Sequence, residues 1–319
     1  MRVLVVGFSR IVQRKVMPAL SSMATVESVD IASRRAAEIS AVDHAKVSQV
    51  YDSYETALAS TSAELVYIST VNSEHAQWAE CALRSGKHVV IDKPATDSLE
   101  RTQHLIAMAR DAERCIAEAV VYPFHPLVTK TLELLASLEL QPIHLASCFS
   151  FPALDPQNFR YRPELGGGAL LDLGAYTVSP GRLFFGGVPE SVSCEITARS
   201  DVPNGVETGF TTMMTYSDGR TLTGHYDFNA EYRNQLALLG RGVFVELNRV
   251  FTPPPDQPMP IQLIRCNKSE LVQTDASDCF ASFLDAVIQS SLSGDFNRWS
   301  DDMLTDARTF DMLRNSAKE

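Results

Sequence analysis

His88-Val89-Val90-Ile91-Asp92-Lys93-Pro94 is the stretch on which the reading of this chain turns. Two valines and an isoleucine behind the histidine read as a short buried strand. Pro94 fixes its own φ and keeps Lys93 out of helical geometry, so the strand ends at a defined point. The lysine then stands at the carboxyl edge of the strand, where open parallel α/β sheets hold their ligands. An ammonium there can polarise a carbonyl or help a neighbouring acid release its proton. A solvated lysine after a strand is the plain alternative, and only the surrounding chain separates the two.

Toward the N-terminus, strand and helix signals alternate. Residues 2–6 (RVLVV) read as a buried strand with Gly7 directly after it, and residues 13–22 as a helix that Pro18 delays or kinks. Strand, glycine turn, helix is the frame of a dinucleotide fold. The G-x-G-x-x-G fingerprint is broken, because Gly7-Phe8-Ser9-Arg10-Ile11-Val12 keeps only the first glycine. Ser9 still lets backbone amides and a hydroxyl approach a pyrophosphate, with a looser fit than glycine. A strand over residues 26–32 ends in Ala32-Ser33-Arg34-Arg35. A ribose 2′-hydroxyl would want an acid at this point, whereas a hydroxyl followed by guanidinium forks suits a 2′-phosphate and points to NADP(H). The alternative is a pair of surface arginines at a helix start.

Further strands are expected at 46–51, 65–70 and 115–121. Helices are expected at 53–59, at 74–85 with Ser73 as N-cap and Gly86 as stop, and at 98–111. This rhythm predicts a doubly wound parallel sheet, a Rossmann domain over residues 1–121. After Tyr122-Pro123-Phe124-His125-Pro126 the pattern changes. One helix at 127–138 precedes strands at 144–151, 191–198, 209–216, 221–228, 235–239 and 243–247, with Ser217-Asp218-Gly219-Arg220 a hairpin turn. A rigid proline-rich loop spans 253–260. A second, α+β domain with an open, mainly antiparallel sheet is therefore expected over 122–319. Its closing helices, 278–292 and 301–315, are free to pack back on the first domain. In its middle, Gly166-Gly167-Gly168 leads into a short helix bearing Asp172 and Tyr176, four residues apart and so on one face. A carboxylate beside a phenol suits proton transfer to a carbonyl oxygen; a capping Asp and a packed Tyr is the structural alternative.

Composition narrows the classes. The 319 residues and 35.1 kDa suit two ordinary domains. A net charge of −11 argues against nucleic acid or an anionic membrane as partner. The six cysteines are scattered and form no CxxC pair, so reduced core thiols are expected rather than disulfides or a metal site. The first apolar run is too short for a signal peptide, no run approaches a membrane span, and a cytoplasmic protein is expected.

Taken together, Ile31-Ala32-Ser33-Arg34, Ile68-Ser69-Thr70-Val71-Asn72-Ser73-Glu74-His75, the stretch from Gly86 to Pro94 and that from Gly166 to Tyr176 resemble the glucose–fructose oxidoreductase/inositol dehydrogenase/MocA family, over essentially the whole chain. The glycine turn with Arg14-Lys15-Val16-Met17-Pro18, and Asn158-Phe159-Arg160 ahead of Glu164, are similar to its nucleotide-sugar 3-ketoreductases. The resemblance implies a Rossmann domain and an open-sheet domain often used to form homo-oligomers, here a dimer or tetramer. It implies that Lys93 is the active-site lysine, and that Asp172 and Tyr176 stand at the catalytic Asp and His/Tyr positions. The expected cofactor set is Gly7, Ser9, Arg10, Ile11, Ser33, Arg34, Thr70, Asn72, His75, Asp92 and Lys93, with NADP(H) as cofactor. His125 and Arg160 are expected to touch the substrate, a sugar or sugar nucleotide whose keto group is reduced. This chain departs from the family pattern in having Asp92 where the signature acid is Glu, Val71 where proline is usual, and Arg10 where an acid often stands. Two other readings stay open: an NADP-dependent sugar, polyol or trans-dihydrodiol dehydrogenase, and a non-catalytic nucleotide-binding regulator.

Overall fold

The structure is a computed structural model, and it describes residues 1–39, 46–201 and 205–318. The chain divides into two compact units, Met1–Val120 with Phe280–Leu304, and Val121–Cys279 with Thr305–Glu319.

The first unit is built on six parallel strands: β1 (Arg2–Val6), β2 (Ser28–Ala32), β3 (Val47–Tyr51), β4 (Leu65–Ile68), β5 (His88–Ile91) and β6 (Ile116–Glu118), in the order β3-β2-β1-β4-β5-β6. The central strands β1, β4 and β5 read as near-continuous apolar runs because helices cover both faces of a parallel sheet. Val3 to Val6, Leu65 to Ile68 and Val89 to Ile91 are accordingly buried. The edge strand β3 is less covered, with the consecutive residues Ser48 and Gln49 exposed. Its helices are α1 (Met17–Ser22), α2 (Ala36–Ile39), α3 (Tyr54–Ser60), α4 (His75–Arg84) and α5 (Leu99–Asp111). Pro18 explains the start of α1. A π turn over Val12–Val16 comes first, the Met17 N–H bonds to the Val12 carbonyl, and Pro18 falls in the first turn of α1, where no N–H is needed. Ser53 and Ser98 cap α3 and α5 as side-chain acceptors. Ser73 does not cap α4. A 3-10 turn over Asn72–Glu74 intervenes and Glu74 takes the capping position, without a side-chain cap bond.

The second unit opens with α6 (Pro126–Ser137), β7 (Pro142–Ser150) and α7 (Ala169–Phe185). Strands β8 (Ser191–Arg199), β9 (Glu207–Thr215), β10 (Thr221–Asp227), β11 (Arg233–Gly240), β12 (Val243–Asn248), β13 (Pro260–Arg265) and β14 (Lys268–Gln273) follow. Of the closing elements, α8 (Cys279–Ser293) belongs to the first unit from Phe280 on. Helix α9 (Asn297–Ser316) belongs to the first unit up to Leu304 and to the second beyond it, and the two-residue β15 (Ala317–Lys318) belongs to the second. The sheet has nine strands in the order β14-β13-β12-β11-β7-β10-β9-β8-β15, antiparallel except for β7 with β10 and β8 with β15. The period of two is clear: Leu145, Phe149, Phe210, Met214, Leu222, Tyr226, Leu236, Leu238, Val245 and Leu247 are buried on the face that α7 covers. Their neighbours Thr211, Met213, Ala146 and Leu239 are exposed. The hairpin β13–β14 was not anticipated from the sequence. Its outer strand is almost wholly exposed, and its turn uses Cys266 and Asn267 at φ +47° and +62°. The helix carrying Asp172 is 17 residues long rather than short.

Candidate active site

In the first unit the chain turns back at the carboxyl edges of β2, β1, β4 and β5, and the expected cofactor residues fall on those four turns. Gly7 follows β1 at φ +93°, and a Cβ there would lie 2.3 Å from the Ser69 carbonyl oxygen. Glycine is required because the chain passes this close to the end of β4. Ser9, at the second glycine position, is drawn into the fold. Its Oγ accepts the Val12 N–H (3.1 Å) and lies 2.7 Å from Ser69 Oγ. Ser69 Oγ in turn donates to the Asp92 carboxylate, which also accepts the Tyr67 hydroxyl. Ser9 therefore donates to Ser69, and one hydrogen-bond chain links the glycine turn to the lysine turn. Ser9, at the second position of the glycine fingerprint, and Asp92, where the family's signature acid is Glu, are the two ends of that hydrogen-bond chain. Desolvation, the largest influence, pushes the Asp92 carboxyl above its usual range, against the pull of the two hydroxyls.

Lys93 follows Asp92 at the head of a cis peptide bond to Pro94. Buried His75 braces this turn, with Nδ1 2.7 Å from the Pro94 carbonyl oxygen and Nε2 3.2 Å from that of Thr70. Both ring nitrogens thus lie against backbone carbonyl oxygens, of which a neutral ring can donate to one. Asn72 is buried in the same turn as Thr70. Arg10 and Ile11 are exposed at the start of the helix that follows the glycine turn.

At the end of β2, Ser33 is buried and its Oγ accepts the Arg35 N–H. Arg34 lies over the Tyr54 ring, 5.1 Å from its centre, and pairs with Glu74 at 2.9 Å. Arg35 is exposed as well, but its guanidinium turns back to donate to the Phe8 carbonyl at 3.2 Å, at the glycine turn. Tyr54, Glu74, Ser69 and Tyr67 join these residues through Arg34, Ser9 and Asp92, which lie in turns after other strands, so no local sequence pattern marks them.

The second unit gathers the remaining expected residues. Gly167 and Gly168 pass over the carbonyl oxygen of Arg160, and the Gly168 N–H bonds to it (2.9 Å). The same approach lets Arg160 Nε donate to Asp172 Oδ2 at 2.9 Å. Asp172 is 4% exposed, so its charge is held by that guanidinium. Four residues on, Tyr176 packs against Phe149, Phe251 and Tyr122, with ring centres 5.1, 5.2 and 6.3 Å away. Arg160 is close enough to Tyr176 for a phenolate there to favour its charge. The N-terminus of α7 has no side-chain cap of its own. Glu207 supplies one from β9, with Oε1 accepting the Leu170 N–H at 3.1 Å. His125 is wholly buried, and its Nδ1 accepts the Leu127 N–H at the start of α6. The ring's proton is therefore on Nε2, which has no partner among the described residues. Burial lowers its pKa, which keeps it neutral. Among the described residues no group of three or more His, Cys, Asp or Glu could hold a metal, and no helix is long and apolar enough to cross a membrane.

The strand order, with its switch point between β1 and β4, is that of a dinucleotide-binding domain, here joined to an open-sheet α+β unit. The close-packed Gly7 turn, the Ser33-Arg34 end of β2 and the helix after the turn fit a phosphorylated dinucleotide. Comparison with known proteins makes the class specific. A family model described as "Oxidoreductase family, NAD-binding Rossmann fold" matches residues 1–119, and one described as "GFO/IDH/MocA C-terminal domain" matches 133–243. The chain belongs to the GFO/IDH/MocA oxidoreductase family. It is 30% identical, over 100% of its length and 96% of the relative's, to dTDP-3,4-didehydro-2,6-dideoxy-alpha-D-glucose 3-reductase of Actinomadura kijaniata. It is equally, 30%, identical to D-xylose 1-dehydrogenase (NADP(+)) 2 of Haloferax volcanii, over 98% of this chain and 96% of that one. The crystal structure of KijD10, a 3-ketoreductase from Actinomadura kijaniata in complex with NADP and TDP-benzene, superposes with a TM-score of 0.94 at 29% identity, covering 100% of this chain and 98% of that chain.

Proposed function

We propose that this chain is an NADPH-dependent reductase of a ketone carried by a sugar or sugar nucleotide. The observation that carries the reading is the single carboxyl edge of the first unit, which gathers the Gly7 turn, the Ser33-Arg34 pair and Lys93. Gly7, Ser9, Arg10 and Ile11 would lie at the pyrophosphate, Ser33 and Arg34 at the 2′-phosphate, and Thr70, Asn72, His75 and Asp92 around the nicotinamide. When bound, NADPH supplies the hydride. Lys93 polarises the carbonyl oxygen, and Tyr176 gives that oxygen its phenolic proton. A phenol with an ordinary pKa near ~10 yields its proton more readily beside a cation. Asp172 holds Arg160 beside Tyr176, and the guanidinium keeps donors for an oxygen of the substrate. His125 offers its buried Nε2–H to the substrate.

Lys93→Ala and Tyr176→Phe should bind NADPH like the parent in a fluorescence titration and lose roughly 10²–10⁴-fold in turnover. Near-normal turnover in either variant removes that residue's role, and absence of NADPH binding by the parent favours a non-catalytic regulator. The equal likeness to a D-xylose dehydrogenase supports a second reading, oxidation of a free sugar, polyol or trans-dihydrodiol with NADP⁺. A panel of keto-sugar nucleotides against free aldoses and polyols separates the two. We also propose a homo-oligomer built on the open sheet face, where Met213 and Leu239 are 49% and 47% exposed. A monomer in sedimentation at micromolar concentration would remove that assembly.

A further inference from the structure

The cation assigned to the 2′-phosphate, Arg34, already has an anion on it. Arg34 Nη2 is 2.9 Å from Glu74 Oε1, and the two side chains are 64% and 24% exposed. Neither group is loosely placed. The guanidinium lies over Tyr54, and Glu74 Oε2 accepts Trp78 Nε1 at 3.4 Å. Tyr54 and Trp78 are themselves buried and packed edge to face, with ring centres 5.0 Å apart. Glu74 also stands at the junction of the 3-10 turn and α4, so its backbone is fixed by the helix. An aromatic pedestal thus holds the cation and the carboxylate side by side.

Resting on the assignment of Arg34 to the 2′-phosphate, we propose that Glu74 sets the cofactor preference by weakening NADPH relative to NADH. A phosphate on Arg34 shares the guanidinium with Glu74, which leaves two anions within a few ångströms of each other. NADH, with a hydroxyl at that place, brings no second anion. Glu74 therefore subtracts from the advantage that Arg34 gives NADPH and leaves the site more tolerant of NADH than the Ser33-Arg34 pair alone would make it. Two charges at such a distance in a partly hydrated site interact by a few-fold to about tenfold in affinity, and salt screens the effect.

The test is fluorescence titration of the full chain with NADPH and with NADH. Glu74→Gln should tighten NADPH about three- to tenfold without a matching gain for NADH, and the gain should shrink at high salt. Unchanged or weaker NADPH binding by a folded Glu74→Gln variant overturns the proposal, as does an equal gain for both cofactors. If loss of the Trp78 contact unsettles Glu74→Gln, Glu74→Ala with Trp78→Phe as background removes the charge with no indole left unpaired, and the same ratio is read. Arg34→Ala distinguishes the two levels of the argument. If it fails to reduce NADPH preference, the 2′-phosphate assignment itself is wrong; if it does and the Glu74 variants gain nothing, only the role of Glu74 is.

Discussion

Each unit uses a glycine to start the helix on which its chemistry depends, but the two glycines close on different material. A Cβ on Gly7 would meet the Ser69 carbonyl oxygen at 2.3 Å, a backbone atom just past β4. A Cβ on Gly168, at φ +111°, would meet Glu207 Oε1 at 2.4 Å, the end of a side chain. The first turn is shaped by the sheet itself and has no room to yield. The second is shaped by one carboxylate, which can swing aside at the expense of the cap on α7. The cofactor edge is thereby rigid by construction, while the helix that bears Asp172 and Tyr176 is set by replaceable side chains.

Paired substitutions probe that contrast. Gly7→Ala should be the more severe, destabilising the first unit by about 3 kcal/mol or more and abolishing NADPH binding, because both the left-handed φ and the backbone clash oppose it. Gly168→Ala should cost about 2 kcal/mol, for φ strain and loss of the Glu207 cap, and should reduce turnover while NADPH still binds. Urea melts and NADPH titrations of the two variants measure this; equal losses of cofactor binding would erase the distinction.

A smaller effect sharpens the description of the first unit through pH. The His88 ring at the start of β5 accepts the Cys115 N–H on Nδ1 (2.9 Å). Burial first, and then the Arg114 cation, push its pKa down to about 4. An unfolded chain takes up this proton near the ordinary imidazole value of about 6.5. Stability from the neutral ring is therefore present above pH ~6.5 and drains away as the pH falls toward ~4. Denaturation midpoints of the parent and His88→Gln should converge at low pH, the variant having lost less between pH 7 and pH 4.5. Parallel pH profiles would mean that His88 is already solvated.

Strands with uninterrupted apolar runs, such as Val3 to Val6 and Val89 to Ile91, were legible because burial on both faces leaves a signal that needs no knowledge of neighbours. The inward residues of β9 and β10 were legible through their period of two. The β13–β14 hairpin was not, since an exposed outer strand carries no alternation. Ser73 looked like a cap because serine before a helix pattern usually is one, yet the 3-10 turn moved the helix start past it. In the candidate site, Lys93, Asp172 and Tyr176 stood out by residue type at a strand end or at helical spacing. The Arg160–Asp172 pair and the link from Ser9 through Ser69 to Asp92 did not, because each joins separate elements.

Residue order alone set the alternation of elements, the broken glycine turn and the identity of the groups at each strand's end, since these follow from local periodicity and from what proline and glycine permit. Which of those groups touch was left to the fold. Glu74 meets Arg34, and Ser9 connects with Asp92, only because β2, β1, β4 and β5 lie side by side in that order in the sheet, an arrangement no window of sequence contains.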